Sequence, residues 1–153
     1  MERIGYLPSE TTFYAGMRVR DVLKLSADLR GKDCSEEAKV LCERLQLDTS
    51  KKVDELSFGN KKKVAIVCAL QHKPELLILD EPTNHLDFKA LSWLENYLDT
   101  YKGSILVVSH DRYFIKKLAT RIFDMGGGFT MFKAESLTYE NIINAFEQGN
   151  FYS

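Results

Sequence analysis

The chain has 153 residues, of which 44% are hydrophobic and 28% charged, which is the composition of one globular domain with its own core. Its 21 basic and 22 acidic residues leave a net charge of -1, so the chain as a whole has no attraction to nucleic acid or anionic lipid. No apolar run is long enough to span a membrane, and the N-terminus does not resemble a signal peptide. Cys34, Cys42 and Cys68 lack metal-type spacing and are expected to be free thiols. These features predict a cytoplasmic protein without direct membrane insertion.

Hydrophobic periodicity divides the first half of the chain into one short strand and three helices. The predicted elements are a strand over Ile4–Leu7 ended by Pro8, a helix over Val19–Leu29, a helix over Ala38–Leu45 and a helix that continues to about Gln71. The second helix is expected to be capped by Asp33 or Ser35. The segment Phe58-Gly59-Asn60 is expected to form a turn before the third helix.

The second half alternates apolar strands with helices. The predicted elements are strands over Leu76–Leu79, Ile105–Val108, Arg121–Met125 and Phe129–Phe132, helices carrying Leu91 to Leu98 and Tyr113 to Leu118, a glycine turn at 126–128, and a final helix over Thr138–Gln148. Such alternation predicts a parallel α/β sheet with both faces covered. We interpret 1–153 as a single partial domain, with a helical insert at 19–50, a core at 53–133 and a C-terminal tail helix at 134–153.

Two adjacent carboxylates follow the apolar strand in the segment LLILDEPTNHLD. Asp80 and Glu81 fall at the carboxyl end of a strand, which is where ligands bind in open α/β sheets. Their mutual repulsion favours a bound cation, and an Asp at such a strand end commonly holds Mg²⁺ in phosphoryl-transfer sites. A helix cap beside a solvated Glu is the alternative, and the pair by itself leaves both open.

Two further segments add groups suited to phosphate. Ser109 and His110 end the next apolar strand, so His110 is expected near Asp80 and Glu81, although a lone His is more often structural. In LSFGN, Ser57 precedes a predicted helix, whose free amide groups and positive dipole end can bind an anion. A plain capping turn is the alternative for this segment.

These motifs together resemble the distal part of an ATP-binding cassette (ABC) ATPase domain. Leu56 to Asn60 is similar to the family's signature motif LSGGQ, and Leu76 to Glu81 is similar to Walker B with its catalytic glutamate. Asn84 to Asp87 resembles the D-loop, and His110 the switch histidine. The resemblance covers most of the chain up to about Met125. It implies a P-loop NTPase-type (RecA-like) cassette core with parallel strands, truncated at the N-terminus.

The resemblance also implies a mechanism with ATP and Mg²⁺ in a head-to-tail pair of cassettes. By this analogy Asp80 holds the metal, Glu81 polarises the attacking water and His110 contacts the γ-phosphate. The signature residues contact ATP held by the opposite subunit, and Asp87 couples the two sites. The implied nucleotide-binding residues are Ser57, Phe58, Gly59, Asn60, Asp87 and, at the Q-loop position, Ser9.

The sequence departs from the family pattern at several places. The P-loop pattern G-x-x-x-x-G-K-[ST] occurs nowhere in the 153 residues, so we expect the chain alone to be inactive in ATP hydrolysis. Ser9 stands where the family has the Q-loop glutamine. In the signature, Phe58 replaces a glycine, which puts bulk where the backbone meets phosphate, and Asn60 replaces glutamine.

The two halves of the chain resemble different branches of the family. The segments 4–23 and 134–151 resemble ATPase subunits of small bacterial exporters, whereas EPTNHLD and SHDRYF resemble cassettes that act on ribosomes. We therefore predict an exporter ATPase subunit, peripheral on the inner face of the cell membrane through a membrane-spanning permease. The alternatives are a ribosome-associated translation factor, or a non-catalytic module that lends its signature motif to a partner. Lys61 to Lys63 are expected to be a solvated helix end rather than an RNA contact.

Overall fold

The computed structural model describes residues 3–118, 121–124 and 129–133. Its elements follow the order β1 (Ile4–Leu7), α1 (Val19–Leu29), α2 (Ser35–Leu45), α3 (Phe58–Leu70), β2 (Leu76–Asp80), α4 (Phe88–Asp99), β3 (Ser104–Ser109), α5 (Arg112–Leu118), β4 (Arg121–Asp124) and β5 (Phe129–Lys133). The predicted α1 agrees with the structure at both ends. The predicted turn at 126–128 and the tail helix over Thr138–Gln148 lie outside the described residues.

The strands form one five-stranded sheet in the order β1-β2-β3-β5-β4. The predicted parallel arrangement is confirmed for β1, β2 and β3, where Leu7 pairs with Leu79 and Asp80 pairs with Val108. It is wrong for β5, which runs antiparallel to both β3 and β4. Only four residues separate β4 from β5, and so short a connection can join antiparallel strands but cannot make the crossover that parallel strands need.

Helix α3 lies at the centre of the core. Its residues from Val64 to Leu70 are apolar without interruption, and all of them except Cys68 are buried. The helix packs on α1 and α2 and also on β1, where a Cβ added to Gly5 would lie 2.3 Å from the Ala69 carbonyl oxygen. The glycine therefore permits a close contact between helix and strand. Because α3 starts near the carboxyl ends of the strands, its first residues belong to the same edge as Asp80.

The start of α2 differs from the prediction. Cys34 is the N-cap residue, and it forms no side-chain cap. The Asp33 carboxylate instead accepts hydrogen bonds from the backbone amide and the hydroxyl of Ser35, at 3.0 and 2.7 Å, and both bonds lower the pKa of Asp33. Asp33 and Ser35 thus form a local turn rather than a helix cap, because short polar side chains readily bond to nearby backbone groups.

Two further observations concern the cysteines and the lengths of the helices. No disulfide joins the cysteines of the described part of the chain, and Cys34 and Cys42 are buried. Within the same ranges, none of the helices combines the length and the apolar character that crossing a membrane requires.

Candidate functional site

The ends of β2 and β3 bring two predicted site residues, Glu81 and His110, together with Ser109. Glu81 follows β2 directly, and its carboxylate lies 3.5 Å from the hydroxyl of Ser109 and 3.4 Å from the backbone nitrogen of His110. The imidazole Nε2 of His110 lies 3.4 Å from the other carboxylate oxygen. These distances are long for hydrogen bonds, so the contacts among the three groups are weak. The edge therefore carries a carboxylate, a hydroxyl and an imidazole within reach of one another.

The backbone of Glu81 adopts an unusual conformation. Its φ angle is 45°, in the left-handed region that residues other than glycine seldom occupy, and its amide donates to the Val108 carbonyl at 2.8 Å. Such strain persists only where the surrounding structure enforces it, and it is concentrated at functional sites. The side chain of Glu81 is only 15% exposed, whereas that of His110 is 69% exposed. The Glu81 carboxylate thus lies against the end of β3, whereas the imidazole of His110 faces outward.

Asp80 is suited to hold a divalent cation. Its carboxylate is half-buried at the end of β2, and it makes no hydrogen bond or ion pair to any described residue. Nowhere in the described ranges do three or more His, Cys, Asp or Glu side chains converge as a metal cage. Mg²⁺ is commonly held by one or two carboxylates while water and phosphate oxygens complete its shell, so the residues present fit Mg²⁺ bound together with a nucleotide.

The signature segment begins helix α3. Ser57 is the N-cap residue, and its hydroxyl oxygen accepts a hydrogen bond from the Asn60 amide at 3.2 Å. The predicted turn at 58–60 is therefore wrong, because the serine cap starts the helix at Phe58. The amides of Phe58 and Gly59 bond to none of the described residues, as expected in a first helical turn. These two amides and the hydroxyl proton of Ser57 are donors available to an anion.

Gly59 and Phe58 both contact the segment that resembles the D-loop. A Cβ at Gly59 would lie 2.6 Å from the carbonyl oxygen of His85, so close packing, rather than flexibility, requires glycine here. The Phe58 ring packs on the His85 ring with centroids 5.6 Å apart, and the Lys61 ammonium lies 5.8 Å from the Phe58 ring centre. Phe58 nonetheless remains 75% exposed. Its ring therefore packs sideways against the D-loop segment.

An ion pair adds a further link between helix α3 and the D-loop segment. The Lys63 ammonium lies 3.1 Å from the Asp87 carboxylate, which also caps α4 by accepting from the Ala90 amide at 2.8 Å. The Ala90 amide and then Lys63 hold the pKa of Asp87 below its usual value. The segments 57–60 and 84–87, distant in sequence, consequently lie against each other as one surface.

The prediction that the three consecutive lysines form a solvated helix end is wrong for two of them. Lys62 is 1% exposed and Lys63 is 8% exposed. The Lys62 ammonium donates to the carbonyl oxygens of Pro8 and Ser9, at 3.0 and 3.1 Å. Helix α3 packs against β1, α1 and α2, so these side chains run along apolar surface until their ammonium groups reach polar atoms. The uninterrupted apolar run after Lys63 was the sequence signal for this burial.

Comparison with known proteins gives the family. A family profile described as "ABC transporter" matches residues 1–84, which is more than half of the chain. The fold and the motif order agree with this match, and the chain belongs to the ABC transporter family as part of an ATP-binding cassette domain.

Several relatives align with much of the chain. The uncharacterized ABC transporter ATP-binding protein YkpA of Bacillus subtilis is 37% identical over 123 residues, which cover 78% of this chain and 23% of YkpA. The ATP-binding protein Uup of Escherichia coli is 41% identical over 67% of this chain and 18% of Uup. The energy-dependent translational throttle protein EttA of Haemophilus influenzae is 42% identical over 53% of this chain and 15% of EttA. The chain thus spans less than a quarter of the length of each of these relatives.

Solved structures show the same fold. An ATP-binding subunit of an ABC transporter superimposes with a TM-score of 0.70 at 27% identity, over 76% of this chain and 52% of that subunit. The dimeric ATP-binding cassette MJ0796, bound to ADP and phosphate, superimposes with a TM-score of 0.62 over 75% of this chain and 55% of that one. At 22% identity the second likeness concerns the fold alone.

Proposed function

We propose that this chain supplies the signature and Walker B part of an ATP-binding cassette that hydrolyses ATP together with a second cassette. The observation that carries the proposal is the convergence of Glu81, Ser109 and His110 beside Asp80 at one edge of the sheet. With Mg²⁺ held at Asp80, such an edge would position a phosphate group and neutralise its charge, which is the main demand of phosphoryl transfer.

The residues at this edge take separate roles in the proposal. Asp80 would hold Mg²⁺ through water, and the bound ion would neutralise charge on the phosphate oxygens. Glu81 accepts a hydrogen bond from the attacking water and polarises it. His110, whose imidazole is exposed, donates to the γ-phosphate. The 3.4 Å contact with His110 orients the Glu81 carboxylate at the end of the strand.

The signature segment acts on a nucleotide held by the partner cassette. Its donors are the hydroxyl of Ser57 and the amides of Phe58 and Gly59, at the positive end of a 13-residue helix. Asn60 and Asp87 flank these donors, and Ser9 stands at the Q-loop position. The chain's membership of the ABC family supports pairing of this kind, because the family resemblance implies cassettes paired head to tail. Because these donors lie on this chain alone, the contact requires no P-loop in the same chain.

A complementation experiment tests this role. The chain is mixed with an intact cassette whose own signature serine has been disabled, and ATP turnover is measured. We expect turnover to be restored by the wild-type chain and by Ser50→Arg, a control at an exposed serine whose hydroxyl donates to Asp48, but not by Ser57→Arg. A folded wild-type chain that restores nothing would refute the proposal, and restoration by Ser57→Arg would refute the role of the signature segment.

For the assembled protein we propose transport, in the form of an exporter ATPase component bound to a membrane-spanning permease on the cytoplasmic face. The likeness to a transporter's ATP-binding subunit supports this. So does a cleft lined by Phe13, Met17 and other residues, beside which Tyr14 and Leu29 are 77% and 78% exposed. Exposed apolar side chains that adjoin in a contiguous patch commonly mark a protein partner. Fractionation of cells that express the full gene tests this, because Tyr14→Ser with Leu29→Ser should release the protein from membranes.

A ribosome-associated translation factor is the second candidate. The likeness to EttA, whose name describes a translational throttle, favours it. The burial of Lys62 and Lys63 removes the lysine run as its RNA contact. Sedimentation of the full gene product through a sucrose gradient distinguishes the candidates, since a ribosome factor co-sediments with ribosomes and an exporter subunit with membranes.

A further inference from the structure

Lys62 carries a buried positive charge at the carboxyl end of the sheet, and none of the roles above uses it. Its ammonium donates to the Pro8 and Ser9 carbonyl oxygens at 3.0 and 3.1 Å, and the residue is 1% exposed. Neutral carbonyl oxygens satisfy hydrogen bonds but do not cancel the charge. A lysine is rarely buried without an anionic neighbour, so the carboxylates near this position are of interest.

The strand register shows where that charge lies. Leu7, the last residue of β1, pairs with Leu79 in the neighbouring parallel strand, so Pro8 and Asp80 come next at the same level. Neighbouring strands lie about 4.8 Å apart. The Lys62 ammonium binds the Pro8 carbonyl, so it lies at the end of β1, the strand next to the one that ends at Asp80. Burial lowers the pKa of Lys62, while Asp80 and Glu81 act in the opposite direction, in agreement with this placement.

We propose that Lys62 is a positioning residue of the metal site, whose buried positive charge balances Asp80 and Glu81 and weakens divalent-cation binding at this edge. The charge offsets the mutual repulsion of the two carboxylates before a nucleotide arrives, and it opposes a metal ion that comes without phosphates. Cation binding at Asp80 thus depends on the negative charge that ATP brings. The inference rests on the proposed function, because it takes Asp80 as the metal ligand.

Mn²⁺ binding to the full chain tests this without any ATPase activity. Free Mn²⁺ is measured by electron paramagnetic resonance during titration of the wild type, Lys62→Met, Lys62→Arg and Lys61→Met. We expect Lys62→Met to tighten Mn²⁺ binding about threefold or more, since it removes a repulsive charge close to the half-buried Asp80. Lys62→Arg retains the charge, and Lys61→Met removes a charge that is not buried, so both should stay near the wild-type affinity.

Two controls keep the result decisive. Asp80→Asn should abolish the binding that is assigned to this edge. Circular dichroism verifies the fold of each variant, and Lys62→Gln replaces Lys62→Met if the methionine variant does not fold. If Lys62 served only to link Pro8 and Ser9 to α3, its replacement would change the stability of the protein without tightening Mn²⁺ binding.

The outcomes separate the inference from the proposed function. Tighter binding in the neutral variants alone supports the role of Lys62. Binding that depends on Asp80 but is unchanged or weakened in the neutral Lys62 variants overturns the inference and leaves the proposed metal site standing. Absence of Asp80-dependent binding in every variant overturns the inference, and the complementation experiment then decides the proposed function independently.

Discussion

Replacing Gly59 by alanine should destabilise the protein, although alanine is the better helix former. In an ordinary helix this change stabilises by about 0.5–1 kcal/mol. At Gly59 the new Cβ would lie 2.6 Å from the His85 carbonyl oxygen, whereas even close C···O contacts are about 3.3 Å or longer. The segment around His85 therefore has to move by several tenths of an ångström. Overpacking of this kind costs about 1–3 kcal/mol, so we expect a net loss of about 1–2 kcal/mol.

Urea unfolding of the wild type, Gly59→Ala and Asn60→Ala measures this loss in the free energy of unfolding. Asn60→Ala is a matched control, because it changes the next residue of the same helical turn without adding an atom toward His85. For a chain of this size the expected loss lowers the melting temperature by about 2–8 °C. If Gly59→Ala proves as stable as the wild type, or more stable, the close approach of the signature and D-loop segments is refuted.

Three further predictions concern the site. In a complete cassette that contains this segment, Glu81→Gln should remove most ATP turnover and retain nucleotide binding, because the amide has the shape of the carboxylate but cannot accept a proton; turnover within a few-fold of wild type would exclude Glu81 as the base. The 153-residue chain alone should bind ATP poorly, because it contains no P-loop sequence to surround the phosphates, and calorimetry showing micromolar, Mg²⁺-dependent binding would contradict this. Asp87→Asn keeps the helix cap and loses the charge beside Lys63. Since the pKa of Asp87 is lowered in the fold, the ionised carboxylate stabilises above about pH 4, and this stabilisation disappears as the pH falls through the folded pKa. Asp87 is largely exposed, so Asp87→Asn should lower the free energy of unfolding in urea by less than about 1 kcal/mol at pH 7, and this difference should vanish near pH 2. A difference that persists unchanged in acid would contradict the role of the charge.

The sequence by itself determined the features that depend on local periodicity and on motif order. The apolar positions of Val19–Leu29 predicted α1 at both ends, and the apolar run before Asp80 predicted that this residue lies at the carboxyl end of a strand. Helical spacing and strand ends are properties of a few neighbouring residues, which explains why they can be recognised without the fold. The same holds for the signature and Walker B segments, whose likeness to the family is a matter of short motifs.

Only the tertiary structure decided which side chains meet. Lys62 and Lys63 look like a solvated run in the sequence, yet the packing of α3 against β1, α1 and α2 removes them from water and directs them to Ser9 and Asp87. The contact of Gly59 with His85 likewise joins segments 26 residues apart, and no local pattern reports a backbone approach between them. Burial and contact depend on how elements pack together, and that information is absent from the periodicity of any one element.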